Sequence, residues 1–381
     1  MTGFLVFLAF SSLALTLATN LLVAVHLRRR RGGASPRPPI SVLKPLKGVD
    51  DGLYENLASF AAQRYPRFEL VFGVADPRDP ALEVVERLRR EYPDVAIRVS
   101  TCAPDLGRNP KVSNLAAIAR LASHAHWLIS DSNTRVHPDY LAALVSELRD
   151  PRVGLVTSVI AGAGERGTGA LFENLHLNSF VASAVCSAQI CKTPIVIGKS
   201  MLFRSADLAT VGGLEGVRDV LAEDHALGLK FRKAGFRVAL SPFVVTTVNE
   251  RWSVRSFLSR HLRWAQIRRR MAPLAFFTEP LLQPVWWAAA VAAAGRPALA
   301  LAIALAKVSS DALVARRLRG ASFPPKGLLL VPVKDLILLA LWLVAAFRRR
   351  VVWRGNVLRL GAGTALVDAP GRHAKATLAH T

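Results

Sequence analysis

Phe68-Glu-Leu-Val-Phe-Gly-Val-Ala-Asp76 and Trp127-Leu-Ile-Ser-Asp-Ser-Asn133 are the stretches whose reading decides the fold. In each, a short apolar run (Leu70–Ala75, and His126–Ser130) ends on an aspartate. Runs this short, bounded by turn residues, read as buried strands. A third run, Asp219–Glu223, leads into Asp224 and is read as a weaker strand. Carboxylates at the carboxyl ends of strands point into the crevice where open α/β sheets bind ligands. Arg260-His-Leu-Arg-Trp264 follows downstream, and a guanidinium pair suits a phosphorylated substrate.

Outward from these runs, short apolar and amphipathic segments alternate from Ile40 to about Thr247. Strands are expected at Ile40–Leu43, Phe68–Val74, Val95–Ser100, Trp127–Ile129 and Val153–Val159. Helices are expected at Gly52–Gln63, Ala81–Glu91, Val112–Ala122 and Pro138–Leu148. This alternation predicts an α/β fold with a largely parallel sheet and helices on both faces, over residues 40–250.

The flanks are different in character. Gly3–Val25 is an almost uncharged apolar run, about 35 Å long as a helix and sufficient to cross a bilayer. Its basic residues follow it, which argues for an anchor (residues 1–27) rather than a cleaved signal peptide. Arg28–Arg31 puts the following domain on the cytoplasmic side by the positive-inside rule, and Gly32–Pro39 reads as the end of a basic linker, 28–39. Ser253–Met271 reads as a basic amphipathic helix of the kind that lies in a membrane interface, within a segment 251–275. Leu281–Ala306 and Gly327–Phe347 are apolar but interrupted, by Gly295-Arg296-Pro297 and by Pro332 with Lys334-Asp335. The leading piece of the first covers only about 22 Å of a ~30 Å core. Two spanning or hairpin elements plus a re-entrant or interfacial one are expected over 276–350, then a cytoplasmic tail, 351–381. A charged pair inside an apolar run must be paired or face protein.

The chain of 381 residues is 51% hydrophobic and carries a formal charge of +23. Such an excess points to an anionic partner. Because Arg28–Arg31, Arg268–Arg270 and Arg348–Arg350 abut apolar stretches, that partner is a membrane surface or a phosphate rather than nucleic acid. The three cysteines, Cys102, Cys186 and Cys191, fit neither a disulfide framework nor a zinc site, and suit a reducing cytosol.

Asp76 can accept hydrogen bonds from a base or ribose, or shape its loop as an Asx turn. Asp131 is the candidate ligand for Mg²⁺ or Mn²⁺ bridging a diphosphate, with Asn133 a weaker oxygen two residues on, or else a helix cap. Lys111 and Asn114, in Asn109-Pro-Lys-Val-Ser-Asn-Leu115, head a helix where a phosphate could be drawn. Glu223-Asp224 offers one base for an acceptor hydroxyl, or a helix-capping pair, with His225 a structural neighbour. Arg260, Arg263 and Trp264 combine a diphosphate grip with an aromatic wall. Gly198-Lys199-Ser200 looks like the end of a P-loop, but Thr193 stands where the upstream glycine is required, and that reading is rejected.

Taken together, these residues resemble the inverting glycosyltransferases of the family-2 type and, more closely, the ceramide glucosyltransferase family (family 21). The resemblance runs through Leu43-Lys-Pro-Leu-Lys-Gly-Val-Asp50, Gly73-Val74, Asp76, Asp79-Pro-Ala81, Asn109-Pro-Lys111 and Asn114-Leu115. It continues through Asp131-Ser132, Val153-Gly-Leu-Val156, Ala222-Glu-Asp224, Arg260-x-x-Arg-Trp264, Trp353-Arg354 and Arg359-Leu-Gly-Ala-Gly-Thr364. It implies a GT-A fold, UDP-glucose as donor, a divalent cation and inversion at the anomeric carbon. Asp76, Asp79, Lys111, Asn114 and Asp131 would then bind the nucleotide sugar, with Asp131 on the metal and Asp224 as general base. Arg260, Arg263 and Trp264 would hold diphosphate and acceptor. The partner would be a lipid such as ceramide at the bacterial inner membrane, with no obligate protein partner. Phe180–Lys192 is small and apolar, poor in the aromatics of animal relatives, and the Ala/Arg-rich composition looks bacterial. A closely related bacterial group transfers N-acetylglucosamine to hopanoid lipids, and the motifs here leave that open as an alternative. From another class, a non-catalytic membrane protein binding anionic lipid or nucleic acid through its Arg clusters is the alternative.

Overall fold

The computed structural model describes residues 1–29, 36–320, 325–348, 350–353 and 356–368. Half of the linker (residues 30–35), residues 321–324, 349 and 354–355, and the end of the tail lie outside the described residues. Eight strands form one sheet: β1 (Ile40–Pro45), β2 (Phe68–Gly73), β3 (Ala96–Ser100), β4 (His126–Ile129), β5 (Thr134–Arg135), β6 (Val153–Ala163), β7 (Met201–Arg204) and β8 (Arg237–Val248). Their order is β3-β2-β1-β4-β7-β6-β8-β5. β1 pairs in parallel with β2 and β4, β2 with β3, and β6 with β8. β7 runs antiparallel between β4 and β6, and β5 pairs antiparallel with β8. The parallel half carries the near-continuous apolar runs expected of strands covered on both faces.

Period-two alternation sorts those runs into two cores. Ile40, Val42, Leu70 and Phe72 face helices Leu53–Ala61, Ala81–Glu91 and Tyr140–Glu147, through Leu57, Phe60, Val85, Leu88 and Leu144. Leu43 and Val71 face the opposite layer, helices Pro110–Ala119 and Glu223–Lys233, through Leu115, Ile118, Leu227 and Phe231. Truncating a fully buried phenylalanine such as Phe60 or Phe231 to alanine would cost about 3–5 kcal/mol.

Among the described residues, three helices are long and apolar enough to cross a membrane: Thr2–Leu27, Pro297–Arg319 and Gly327–Phe347; Pro284–Ala293 is shorter. The break at Gly295-Arg296-Pro297 starts a helix that continues well past Ala306, to Arg319. Pro332 does not interrupt its segment. It lies in the first turn of helix Val331–Phe347, where a missing N–H costs nothing. Thr2–Leu27 packs on Pro284–Ala293, Pro297–Arg319 and Ala182–Ile190. Asn20 binds it there, donating to Ser310 Oγ (2.8 Å) while accepting from Ser183 Oγ (2.5 Å). His26 Nε2 reaches the Ser241 carbonyl in β8 at 3.1 Å, so this helix is docked on the sheet domain. The Lys334-Asp335 pair faces protein: Asp335 lies 2.6 Å from Lys334 and 3.0 Å from Lys307, which also pairs with Asp311.

Helix Val254–Met271 differs from the interfacial reading. Phe257, His261, Ala265 and Gln266 are buried, and helices Thr168–His176 and Val331–Phe347 cover its apolar side. Protein thus occupies the face that the sequence pattern turned toward lipid. A second sheet, β9 (Arg350–Trp353), β10 (Asn356–Leu360) and β11 (Leu366–Asp368), follows in the order β11-β10-β9.

Candidate functional site

Asp131 lies two residues beyond the end of β4, and the register of β4 on β7 decides what it meets. Ile129 pairs with Met201 in antiparallel sense, so two residues after the one faces two residues before the other. That residue is Lys199. Its Nζ lies 3.0 Å from Asp131 Oδ2 and also donates to Asn133 Oδ1. Lys111 takes the other carboxylate oxygen at 2.8 Å and Glu223 Oε1 at 2.8 Å. Beneath them, buried Lys44 donates to the Asp131 carbonyl (2.9 Å) and rests 3.8 Å from the centre of the Phe60 ring.

Lys111 gets there because Asn109 caps its helix. The Asn109 Oδ1 accepts from the Lys111 amide at 3.0 Å, and Pro110 occupies the first turn. That cap starts the helix two residues before the expected Val112. The Asn109 amide also donates to the Val220 carbonyl (2.7 Å) and to Glu223 Oε2 (3.3 Å).

The expected strand at Asp219–Glu223 is absent. Val220 forms a single antiparallel bridge with Ala365, and Glu223 already begins helix Glu223–Lys233. The segment is tied to the C-terminal region, with Leu221 N donating to Thr364 O (3.0 Å) and Leu366 N to Asp219 O (2.7 Å). A strand needs a continuous neighbour, and here the chain turns into a helix after one bridge. Asp224 therefore sits in a helical first turn. Its Oδ2 accepts from the Gly198 amide at 2.7 Å and its Oδ1 from the His225 amide at 2.7 Å.

The electrostatics follow from burial and pairing. Burial opposes ionisation of Asp131, but Lys111 and Lys199 outweigh it and hold its carboxyl well below the usual range. For Lys111, burial works against the charge, yet Asp131, Glu223 and Asp224 raise its pKa above that of an ordinary lysine. Burial pushes Glu223 up, aided by Asp224 and opposed by Lys111. Lys44 is driven well below a normal lysine by burial, with Asp131 pulling the other way.

Arg260 lies 3.3 Å from Glu173 Oε1, and its guanidinium stacks over Trp264 (4.5 Å) and Trp252 (4.9 Å). Arg263 is half-buried one turn along the same helix. Glu173 is fully buried and accepts from His261 Nε2 at 2.7 Å through its second oxygen. Burial alone would raise its pKa; Arg260, His261 and more distant Lys199 bring it down to about 2. This coupling joins the Arg260 set to the Asp131 cluster.

The remaining expected residues lie at the ends of β1 and β2. Asp76 is exposed beyond β2, accepting from the Arg78 amide at 2.9 Å. Asp79 is spent on the chain itself, taking the Gly48 amide (2.9 and 3.0 Å) and the Ala81 amide (2.9 Å). Asn114 is buried and donates to the Gly73 carbonyl at 2.8 Å, binding the end of β2 to its helix. Lys44, Glu173 and Lys199 were not among the sequence candidates. Lys44 stands in a motif already singled out, and Lys199 in the discarded Gly-Lys-Ser; for Glu173 the sequence carries no signal.

The fold matches a mannosyltransferase from Pyrobaculum calidifontis, solved with GDP-Man and Mn²⁺, at a TM-score of 0.52 and 22% identity over 90% of this chain and 99% of that one. The sheet domain is thus a GT-A fold. Ceramide glucosyltransferase 3 of Caenorhabditis elegans is 30% identical over 65% of this chain and 54% of its own length. Ceramide glucosyltransferase of Komagataella phaffii is 28% identical over 64% of this chain and 60% of its own. The chain spans little more than half the length of these relatives. The family model described as glycosyl transferase family 21 matches residues 4–366, nearly the whole chain, and the chain belongs to that family.

Proposed function

We propose that this protein is a membrane-bound inverting hexosyltransferase that moves glucose from UDP-glucose to the primary hydroxyl of ceramide. The observation that carries the reading is the convergence of Asp131, Lys111, Lys199, Glu223 and Asp224 around one point at the end of β4. Membership of family 21 and the ceramide glucosyltransferase relatives support the reaction and the lipid class.

Asp131 and Asn133 direct a carboxylate and an amide oxygen onto one positively charged point, and such oxygens fit a hard divalent cation. A bound Mg²⁺ or Mn²⁺ there supplies charge neutralisation on the diphosphate. Asp76 would hold the uridine at the exposed end of β2. Lys111, with Arg260 and Arg263, would meet the diphosphate and stabilise the charge that builds on departing UDP. Asp224 takes the proton from the acceptor hydroxyl as its oxygen bonds to the anomeric carbon and the bond to the diphosphate breaks. One base suffices for a single displacement with inversion. Trp264 and Trp252 wall the approach beside Arg260. The acceptor would enter from the side of the apolar helices, with the sheet domain in the cytosol.

The test uses membranes carrying the protein, supplied with UDP-glucose, UDP-galactose or UDP-N-acetylglucosamine and with ceramide or a hopanoid. The expected product is glucosylceramide, lost in Asp131→Ala and Asp224→Asn while membrane association persists. Transfer surviving both substitutions would overturn the mechanism, and another product would overturn the assigned donor or acceptor.

A further inference from the structure

The Gly198-Lys199-Ser200 stretch is built into the donor end of the site by its backbone. The Ser200 amide donates to the Ile197 carbonyl at 3.2 Å, and its hydroxyl is clasped by Tyr140 OH (2.7 Å) and Ser158 Oγ (3.1 Å). The main chain at Lys199 is therefore fixed between buried groups, while its ammonium hangs on four rotatable methylenes. That ammonium touches Asp131 Oδ2 and Asn133 Oδ1 together, the two oxygens that fit a divalent cation.

Lys111 and Lys199 are not equivalent partners of Asp131. Lys111 also holds Glu223 at 2.8 Å, so it keeps a counter-charge if Asp131 is taken away. Among the described residues, Asp131 is the one carboxylate within ion-pair distance of Lys199. An incoming cation that takes Asp131 leaves Lys199 with a buried charge, repelled by the cation and by Arg260 nearby. The stable position for the ammonium is then on a newly arrived anion.

We propose that Lys199 is a tethered counter-ion for the Asp131–Asn133 oxygen pair. It excludes a divalent cation from the protein alone and moves onto the diphosphate oxygens when nucleotide and cation arrive together. The inference rests on the nucleoside-diphosphate donor proposed above. Its consequence is ordered uptake: the cation binds with the nucleotide and not before it.

The test measures Mn²⁺ binding, by loss of the free-ion electron paramagnetic resonance signal, to the purified full chain in lipid nanodiscs with and without UDP. Wild-type protein should take up Mn²⁺ at least about tenfold more tightly with UDP than without. Lys199→Met and Lys199→Gln should bind Mn²⁺ about tenfold more tightly than wild type when UDP is absent, and Lys199→Arg should behave as wild type. With Mn²⁺ present the two neutral variants should bind UDP about tenfold more weakly. Equal Mn²⁺ affinity in wild type and both neutral variants would overturn the proposal. So would a wild-type affinity that UDP does not change although UDP binds, a comparison that stands even if the variants fail to fold. If UDP binds to none of the proteins, the nucleotide reading fails, while the UDP-free Mn²⁺ comparison still decides the role of Lys199.

Discussion

Asp224 Oδ2 accepts a 2.7 Å hydrogen bond from the backbone amide of Gly198, so the proposed base is aimed by the glycine that precedes Lys199. A Cβ at Gly198 would lie 2.8 Å from Lys111 Nζ and 3.3 Å from Asp224 Oδ2. The lysine end can swing away, but only by loosening its pairs with Asp131 and Glu223. Gly198→Ala is expected to lower kcat by about 10–100-fold, since small misplacements of reacting groups are costly. The melting temperature should change little. Steady-state kinetics alongside a thermal melt check this; an unchanged kcat would show that the close approach is unimportant.

Glu173 organises the Arg260 set from a position where no substrate need touch it. Glu173→Gln keeps the volume but removes the charge between Arg260 and His261. The expected effect is a rise in the KM for the donor with a smaller change in kcat, read from kinetics at several donor concentrations. A fall in kcat alone would argue that Glu173 acts on the chemical step instead.

The same carboxylate predicts a pH dependence of stability. Its pKa is depressed in the folded protein, from 4.5 to about 2. Its stabilisation, about 3 kcal/mol, is therefore complete above pH 4.5 and is lost as the pH falls toward about 2. Asp131, depressed likewise, works in the same direction. Denaturation curves between pH 6 and pH 2 should fall less steeply for Glu173→Gln than for wild type; parallel curves would contradict the assignment.

Within the apolar helices, Asp335 pairs with both Lys307 and Lys334, and Asp311 supplies the second negative charge. Removing one partner of a buried set strands the others. Asp335→Leu is expected to destabilise the protein by about 3–5 kcal/mol, more than Leu338→Ala in the same helix if that site collapses well. Unfolding in mixed detergent micelles measures the difference. A neutral result would mean that lipid or water already solvates the lysines.

The C-terminal sheet buttresses the loop before the proposed base. Leu221 packs on Val351, Leu360 and Leu366, and Gln266 Nε2 bonds the Arg350 carbonyl at 2.9 Å. A chain cut after residue 348 should retain its apolar helices and membrane association but lose most activity, because the Asp219–Leu221 backbone loses its partners. Full activity in the truncated protein would show that the loop is held from within the sheet domain.

Local pattern explains why much of this was legible. The apolar runs ending on Asp76 and Asp131 are strands covered on both faces, and their alternation assigns Val71 and Ile129 to one core, Leu70 and Leu128 to the other. Short-range physics also sets the Asn109 cap and the apolar helices. Asp224 is singled out by its acidic neighbour and its order in the chain, although the strand expected before it is a turn. The pattern failed at helix Val254–Met271, because a basic amphipathic helix looks alike whether lipid or protein covers its apolar side.

The sequence by itself determined the βα alternation, the strand-end carboxylates and the apolar segments, since each depends on residues close together along the chain. Tertiary structure alone decided which charges meet. Lys199 reaches Asp131 because β7 enters the sheet antiparallel to β4, in a register that sets Met201 opposite Ile129. Glu173 reaches Arg260 because two helices far apart in the chain pack together. Register and packing are set by the whole core, and no local stretch contains them.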